Sequence, residues 1–308
     1  MIIKNQLMQK IGLVAMRLAR EFITLQVGDR IKTIADYTEK YKTARGTVQS
    51  AIKLLERYYA IGLDHKGHLG TFIIHLDYKV LWEFADIGTI MGVMPLPYSK
   101  LYEGLATGLY KTASKSNIPF SLAYMRGAQA RIDALSSRRY DFVITSKLAA
   151  LYSIKNKVEI DIAVEFGEFT YVNEHAMIFA DASRRSIEDG MKVGIDRSSI
   201  DHSLLTLDQC EGKRIELIDL AYNQIIMKLN AGEIDAAIWN IDEIIERKLN
   251  IKYYPLSDDK FDGQDTEAVM IVNKDNFEIR NLLEHFINKA TVKECQKGVV
   301  QGAIIPNY

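Results

Sequence analysis

The side chains best suited to recognition chemistry lie in one stretch with helical periodicity, residues 43–57. Small and apolar residues recur along it at helical spacing and define a face that can pack against neighbouring elements: Ala44, Val48, Ala51, Ile52, Leu54 and Leu55. The opposite face carries four polar residues, Arg45, Gln49, Ser50 and Lys53. Such groups on a slim helix can hydrogen-bond base edges in a DNA major groove. An ordinary amphipathic surface helix shows the same pattern, so the neighbouring elements must decide between the two interpretations.

Those neighbouring elements predict a helix-turn-helix followed by a hairpin. Residues 28–41 predict a turn and a short helix, with Thr33 as N-cap and Asp36 completing a capping box. Residues 59–74 predict two strands joined by a turn at 65–70, because β-branched and aromatic residues flank that turn. Helix, turn, helix and two-stranded hairpin is the plan of a winged helix-turn-helix.

This plan resembles the GntR family of transcription regulators. The recognition-helix pattern of that family, S-R-x-T-V-x-x-A-[LI]-x-x-L, is matched by Arg45, Thr47, Val48, Ala51, Ile52 and Leu55. The wing ending G-T-F-V is matched by Gly70, Thr71, Phe72 and Ile73. Ala44 replaces the usual serine, and Gln49 replaces a base-reading arginine of many members. The resemblance therefore implies DNA binding but not a particular operator sequence.

Nine residues are the candidate DNA contacts of such a domain. We expect base edges to be contacted by Arg45, Gln49 and Ser50. We expect backbone phosphates to be contacted by Thr33, Thr43, Thr47, Lys53, Lys66 and His68. His65 and His68 also have the spacing of a metal-binding pair, but without a nearby third ligand a phosphate contact is the better interpretation.

The charge distribution agrees with a partner that presents phosphate to one end of the chain only. Residues 1–70 contain 12 Lys and Arg against 6 Asp and Glu, whereas the rest contains 27 against 34. A basic first quarter on an acidic remainder is typical of a nucleic-acid-binding domain joined to a domain with another role. Chance clustering in a protein of net charge −1 is the alternative.

The sequence shows no feature of an exported or membrane protein. Its two cysteines, Cys210 and Cys295, are far apart, which is typical of a reducing compartment. No secretion signal is visible, and no run approaches 18 apolar residues. We expect a cytoplasmic protein without a membrane span.

Beyond about residue 79, strand and helix patterns alternate, which predicts the α/β class with mainly parallel sheets. The segment 134–146 matches 228–240 at one constant offset. In each segment a helix ends and an aspartate, Asp141 or Asp235, opens a strand. Two similar α/β lobes are therefore expected.

This layout resembles the type 2 periplasmic-binding-protein fold, which serves as the effector domain of many regulators. The resemblance implies a winged helix-turn-helix domain at 1–76 and an effector-binding domain at 77–308. Within the latter it implies lobe I at 77–168 and 267–308 and lobe II at 169–266. The combination of a GntR-like DNA-binding domain with this effector-binding domain resembles the YhfZ-type regulators.

Ligands of open α/β sheets bind beyond the carboxyl ends of the strands, where helices begin and backbone N–H groups favour anions. At these ends we find hydroxyl and amide residues, two aromatic residues, and two arginines that can clamp a carboxylate or phosphate. The candidate ligand-binding residues are Pro97, Tyr98, Ser99, Arg126, Thr145, Ser146, Arg197, Ser198, Ser199, Trp239 and Asn240. As alternatives, each hydroxyl residue can be a plain helix cap and Trp239 a core residue.

We therefore expect a DNA-binding transcription regulator that acts as a homodimer on a two-fold operator and responds to a small anionic effector. The chain carries no P-loop, no G-x-S-x-G and no H-E-x-x-H, so neither an enzyme nor a cofactor is expected. The alternative is a cytoplasmic solute-binding protein or enzyme on the same two-lobed fold, without DNA binding.

Overall fold

The computed structural model describes residues 9–115, 117–256 and 260–308. Contacts divide the chain into two units. One unit ends at Ile90 and also includes Ala113–Phe120, and the other consists of Met91–Thr112 and Ser121–Tyr308.

The first unit contains the predicted winged helix-turn-helix. Its elements in chain order are α1 (Lys10–Phe22), β1 (Arg30–Ile31), α2 (Ile34–Tyr41), α3 (Arg45–Arg57), β2 (Ile61–His65) and β3 (Thr71–Leu76). The three strands form a sheet in the order β1-β3-β2 with antiparallel pairing. Residues 1–8 of the expected first domain lie outside the described residues.

The core of this unit is formed by α1, α2 and α3, because α1 and α3 each bury an apolar face and α2 contributes the buried Tyr37. From α3 the buried residues are Val48, Ala51, Ile52 and Leu55, as the spacing predicts. Leu54 and Ala44 were also expected on this face, but Leu54 is half-buried and Ala44 is exposed. The reason is that Ala44 is the N-cap, where the backbone is still extended (ψ 146°) and the helical face has not begun.

Two local devices fix the ends of these elements. The predicted capping box is confirmed, since Thr33 Oγ1 accepts from the Asp36 backbone N–H and Asp36 accepts from that of Thr33. Gly70 ends the wing turn at φ +104°, and a Cβ there would lie 2.4 Å from Arg30 Nε. The backbone conformation is what favours glycine here, because the Arg30 side chain is flexible and can move aside.

A further helix, α4 (Tyr78–Ala85), follows the hairpin without a flexible linker. Asp77 caps it by accepting from the Val80 N–H (3.1 Å). Tyr78 donates to the Leu25 carbonyl (3.0 Å) and Arg20 Nε to that of Ala85 (2.7 Å), so both ends of α4 are bonded to the α1 region. The expected domain boundary at 76/77 lies just before this helix.

The remaining strands and helices form two α/β lobes. Lobe I has a sheet in the order β5-β4-β6-β13-β7. Its elements are β4 (Ile90–Met94), α5 (Lys100–Lys115), β5 (Phe120–Tyr124), α6 (Ala128–Ser136), β6 (Phe142–Ser146), α7 (Lys147–Lys155), β7 (Ile160–Glu165), β13 (Ala268–Asn273), α11 (Phe277–Phe286) and α12 (Lys289–Val300).

Lobe II has a sheet in the order β10-β9-β11-β8-β12. Its elements are β8 (His175–Phe179), β9 (Lys192–Ile195), α8 (Ile200–Gln209), β10 (Glu216–Asp219), α9 (Tyr222–Asn230), β11 (Ala236–Asn240), α10 (Ile241–Glu246) and β12 (Tyr253–Pro255). None of the helices in the described ranges combines the length and apolar character needed to cross a membrane.

Both sheets are mixed, whereas the alternation of elements predicted mainly parallel ones. β4 pairs with β6, and β9 with β10 and β11, in parallel. β13 runs antiparallel to β6 and β7, and β8 runs antiparallel to β11 and β12. The difference arises because β8 and β13 enter their sheets directly from the other lobe, not through a helix on the same sheet.

The internal similarity between the lobes is confirmed by equivalent contacts. Asp141 Oδ2 accepts from the Met91 N–H (2.8 Å) just before β6. Asp235 Oδ2 accepts from the Lys192 N–H (2.7 Å) just before β11. Each aspartate thus ties the start of its strand to a neighbouring strand, which is a structural role and not acid–base chemistry.

Candidate DNA surface and ligand cleft

The polar face of α3 is open to solvent. Arg45, Gln49, Ser50 and Lys53 are all exposed, while the apolar face of the same helix is buried. The described residues of the first unit also form a groove on either side of this helix. The predicted base contacts are therefore sterically available to a partner.

One groove, of about 440 Å³, lies between the start of α2, α3 and the wing. Of the predicted DNA contacts it brings together Thr33, Gln49 and Lys53. Arg30 and Lys32 line the same groove and were not among the predicted contacts. The Thr33 hydroxyl itself is engaged in the capping box, where it donates to Asp36 Oδ2 (2.8 Å).

The second groove, of about 600 Å³, lies between α1, the end of α2 and the start of α3. It brings together Thr43 and Thr47, and it is also lined by Lys10, Arg17 and Lys42. These cations lie off the recognition helix, so a motif search on α3 misses them. The excess of positive charge in residues 1–70 was the one sequence signal that pointed to them.

The tip of the wing carries the two remaining predicted contacts. Lys66 and His68 are both exposed there. Lys66 Nζ lies 5.2 Å from the centroid of the Phe72 ring and 3.7 Å from Asp64 Oδ2. These contacts are weak at an exposed site and leave the lysine able to reach a phosphate.

The second candidate site is a cavity of about 90 Å³ between lobe I and lobe II. Four of the predicted ligand-binding residues line it, namely Tyr98, Arg126, Ser199 and Asn240. They lie at or shortly after the carboxyl ends of four different strands of the two sheets. The cavity therefore lies where strand-end reasoning placed it.

The other predicted ligand-binding residues do not line this cavity. Ser99 and Ser146 cap α5 and α7, as Ser199 of the cavity lining caps α8. Ser198 donates to Asp196 Oδ1 (2.6 Å), and Arg197 pairs with Asp219 (2.7 Å) at the surface. Trp239 is a core residue (1% exposed) stacked on Tyr222 at 4.0 Å between ring centroids. Thr145 is fully buried in β6, and Pro97 is half-buried beside Tyr98. Helix capping and core packing thus account for most of this set.

Several lining residues were missed from the sequence. They are Tyr102, Arg131, Tyr171, His175, Asp196, Asp201, His202, Tyr222 and Glu243. Asp196 and Asp201 flank the predicted 197–199 run, so an inspection of charged neighbours would have found them. Arg131 and Tyr102 lie inside helices, so a search for polar residues at the ends of strands does not find them.

The lobes are joined across the cleft by polar contacts. Arg126 Nη2 of lobe I donates to Asp196 Oδ2 of lobe II (3.0 Å). Burial alone would raise the pKa of Asp196, but hydrogen bonds from Ser198 and the Tyr222 N–H, with the Arg126 charge, hold that pKa below its ordinary value. Asp196 is therefore a fixed anion at one side of the cavity.

Asp201, the second residue of α8, is buried against lobe I. Its Oδ1 accepts from Ser146 Oγ (2.6 Å). Burial raises the pKa of Asp201 to about 6, since the hydrogen bond and the nearby cationic groups compensate only part of the lost hydration. This carboxyl therefore changes charge close to neutral pH.

Arg131 of α6 is 3% exposed and provides a buried cation. Its Nη1 donates to the Met125 carbonyl (2.9 Å) and its Nη2 to the Tyr171 hydroxyl (3.1 Å). Its Nε has no hydrogen-bond partner among the described residues. A guanidinium held by two uncharged oxygens keeps capacity for an anion.

Two histidines near the cavity have pKa values that are shifted in opposite directions. Burial by itself would lower the pKa of His175, but Asp265 at 2.6 Å raises it above the ordinary value and favours the charged form. Burial lowers the pKa of His202 to about 4. His202 Nδ1 accepts from the Asp196 N–H (3.1 Å) and Nε2 lies 3.0 Å from the Ile238 carbonyl, which suits a neutral ring.

Family models match both parts of the chain. A model described as the YhfZ C-terminal domain matches residues 77–308, and a model described as a helix-turn-helix domain matches residues 26–73. The protein YhfZ of Escherichia coli (strain K12) is 34% identical over 308 residues, which cover 99% of this chain and all of that protein.

Solved structures agree with this assignment. The crystal structure of YhfZ from Shigella flexneri is 35% identical with a TM-score of 0.63, over 75% of this chain and 97% of that one. An ancestral arginine-binding protein bound to arginine is 16% identical with a TM-score of 0.52, over 71% of this chain and 99% of that one. The latter likeness supports the periplasmic-binding-protein-like fold alone. The chain therefore belongs to the YhfZ family, with a helix-turn-helix head and a two-lobed α/β domain.

Proposed function

We propose that this protein is a transcription regulator that binds DNA through its winged helix and a small effector through the cleft between its lobes. The observation that carries the proposal is the occurrence, in one chain, of an α3 helix with a solvent-open polar face and a two-lobed domain with a charged cavity. The α3 helix belongs to a helix-turn-helix with a wing, and this context favours a regulator over a solute receptor or an enzyme.

DNA binding is proposed for α3, the two grooves beside it and the wing. Arg45, Gln49 and Ser50 would contact base edges, as in GntR-like recognition helices. The phosphate contacts would come from Lys53, Lys66 and His68, with help from the groove cations that the structure adds. The protein would act as a homodimer in the cytoplasm, because a two-fold protein matches a two-fold operator.

Effector binding is proposed for the 90 Å³ cavity. Arg126 and Arg131 line it, and their guanidinium groups support an effector that carries an anionic group. Occupancy of the cleft would change the affinity for the operator. No catalytic role is proposed, since the polar groups of the cavity are explained by lobe contacts and ligand binding.

The proposal is tested by selection of DNA fragments from a random or genomic pool with the full chain at low salt. We expect enrichment of a two-fold sequence and loss of that enrichment with Arg45→Ala. Lys79→Ala is the matched control, because Lys79 is an exposed cation of the same unit that lines neither groove. If the full chain enriches no duplex, or if Arg45→Ala enriches the same sequence as the parent, the proposal is wrong.

A further inference from the structure

The cleft cavity is lined by charges of both signs that are not all paired with each other. Arg126 and Asp196 form an ion pair at 3.0 Å across the lobes. Glu243 is bonded by Arg247 (3.4 Å). His175 also lines the cavity and is paired with Asp265 at 2.6 Å. The two lining residues of opposite charge that have no ion-pair partner among the described residues are Arg131 of lobe I and Asp201 of lobe II.

Arg131 lacks an anionic partner within the described ranges of the chain. Its two hydrogen bonds go to the Met125 carbonyl and the Tyr171 hydroxyl, both uncharged. No carboxylate of the described residues lies within 4.0 Å of its nitrogens. A buried guanidinium without an anion is costly, so the site favours a ligand that supplies one.

Asp201 likewise has no ion pair with a cationic side chain among the described residues. Among the described residues, its side chain accepts one hydrogen bond, from the neutral Ser146 hydroxyl. The nearby His175 is already paired with Asp265 at 2.6 Å. Asp201 therefore has an acceptor oxygen and a negative charge to offer to a ligand.

Arg131 and Asp201 lie near enough to influence each other's charge but are not in contact. The Arg131 charge lowers the pKa of Asp201, which burial raises, yet the two side chains form no ion pair. Both line the same cavity, with Tyr102 and Tyr171 beside them at 5.1 Å between ring centroids. A molecule between them would meet a cation at one end and an anion at the other.

The size of the cavity limits the ligand. Its 90 Å³ is far below the roughly 300–1,000 Å³ of sites for drug-sized molecules. A ligand that spans Arg131 and Asp201 must therefore place its two charges a few bonds apart. A purely anionic ligand of this size would leave Asp201 uncompensated and add like charge beside it.

We propose that the effector is a compact zwitterion of the α-amino-acid class, with its carboxylate on Arg131 and its ammonium group on Asp201. The proposal rests on the proposed function only in that the cleft binds a small molecule. The sequence predicted an anionic effector. In this proposal the anionic group is the carboxylate of a ligand whose net charge is zero, because an ammonium group balances it. Arg126 and Asp196 keep their own ion pair in the cavity lining.

The test is calorimetric titration and thermal shift of the full chain with the free L-amino acids, each followed by two matched analogues. One analogue is the amine that lacks the carboxylate, and the other is the acid that lacks the amine. We expect at least one amino acid to bind and both of its analogues to bind on the order of 100-fold more weakly, since each leaves one buried charge unpaired. The N-trimethylated form should also bind weakly, because it has no N–H for Asp201.

Two variants assign the ends of the ligand. Asp201→Asn should reduce the preference for the amino acid over the acid without an amine from about 100-fold to a few-fold. Arg131→Met should do the same for the preference over the amine. Arg197→Ala is the control, because this exposed arginine is paired with Asp219 and does not line the cavity. Circular dichroism at the titration temperature confirms that each variant is folded.

The outcomes separate this inference from the proposed function. If no amino acid binds but a small dicarboxylate or phosphate ester does, the zwitterion is wrong and effector binding stands. If the trimethylated form binds as well as the parent amino acid, or Asp201→Asn keeps the full preference, the assignment of the ammonium group to Asp201 is wrong. DNA selection with the same protein reports on the regulator role independently of all these titrations.

Discussion

Ser146 Oγ of lobe I donates a 2.6 Å hydrogen bond to Asp201 Oδ1 of lobe II, and both residues are buried. The same Ser146 oxygen accepts from the Ala149 N–H (3.0 Å) at the start of α7. One hydroxyl therefore caps a helix and bridges the lobes. Ser146 was predicted to bind a ligand. In the structure it does not line the cavity but orients the carboxyl group of Asp201, which does.

Removal of this bridge should destabilise the effector-binding domain. Ser146→Ala takes away the only side-chain donor that Asp201 has among the described residues, and it leaves a buried carboxyl unsatisfied. We expect the free energy of unfolding to fall by about 1–3 kcal/mol. Urea unfolding at pH 7.5 measures it, with Ser114→Ala on an exposed helix position as control. An unchanged midpoint for Ser146→Ala would show that the bridge contributes nothing.

Asp201 should make the protein less stable as pH rises through about 6. Its pKa is raised in the folded state, so the folded protein binds the proton more tightly than the unfolded chain does. The stabilisation is complete below the ordinary aspartate pKa and is lost as pH rises through the folded value. Asp201→Asn should therefore be more stable than the parent at pH 7.5, by up to about 3 kcal/mol, and lack this pH slope.

The comparison is made by thermal unfolding of both proteins between pH 4.5 and 8. Ser146, Arg131, His175 and Asp265 also act on Asp201, so the difference between the two curves is the quantity to examine. Equal stability of Asp201→Asn and the parent at every pH would contradict a buried, destabilising carboxylate. A carboxylate kept at a cost in stability is typical of a binding residue.

The pair of His175 and Asp265 should stabilise the protein chiefly in mildly acidic solution. The pKa of His175 is raised, so its contribution is complete below about 6.5 and is lost as pH rises through the folded value. The pKa of Asp265 is lowered because hydrogen bonding to His175 outweighs burial, so its contribution is lost only as pH falls below about 4.

His175→Gln should therefore cost more stability at pH 5.5 than at pH 9. Chemical denaturation at these two pH values measures the difference. His68→Gln at the exposed wing tip serves as control and should leave the stability unchanged at both pH values. An equal cost at pH 5.5 and pH 9 would show that a charged His175 adds no stability through Asp265.

The wing should depend on the absence of a side chain at residue 70. Gly70→Ala would place a Cβ 2.4 Å from Arg30 Nε at a backbone φ of +104°. We expect a loss of about 1–3 kcal/mol in stability, because alanine is strained at this φ, and weaker DNA binding, because the Arg30 side chain is displaced. Gly67→Ala has a smaller positive φ and open space around it, so it should cost less. If the two variants unfold at the same midpoint, the backbone at residue 70 does not need glycine.

The helix-turn-helix head could be predicted because its signals are local. The Thr33–Asp36 capping box, the spacing of Val48 and Leu55, and the glycine of the wing each depend on a few neighbouring residues. The twofold α/β unit was also visible, since Asp141 and Asp235 recur at one offset and make the same contact.

The cleft could be predicted only in part. Strand ends are recognisable in the sequence, and they correctly indicated Arg126 and Asn240 as lining residues. Arg131 and Asp201 line one cavity only because two helices from different lobes face it, and no local pattern encodes that arrangement. A serine at a strand end can cap a helix, contact the other lobe or bind a ligand, and the sequence does not distinguish these roles. Ser146 caps α7 and contacts Asp201 of lobe II.

The central claim is tested most directly by fluorescence anisotropy of the selected duplex with the full chain over a range of salt concentrations. We predict binding that weakens steeply with salt, and for Arg45→Ala a loss of about 1–3 kcal/mol at fixed salt, while Lys79→Ala binds like the parent. No retention of any duplex at about 50 mM salt, or equal binding by Arg45→Ala and the parent, would contradict the account.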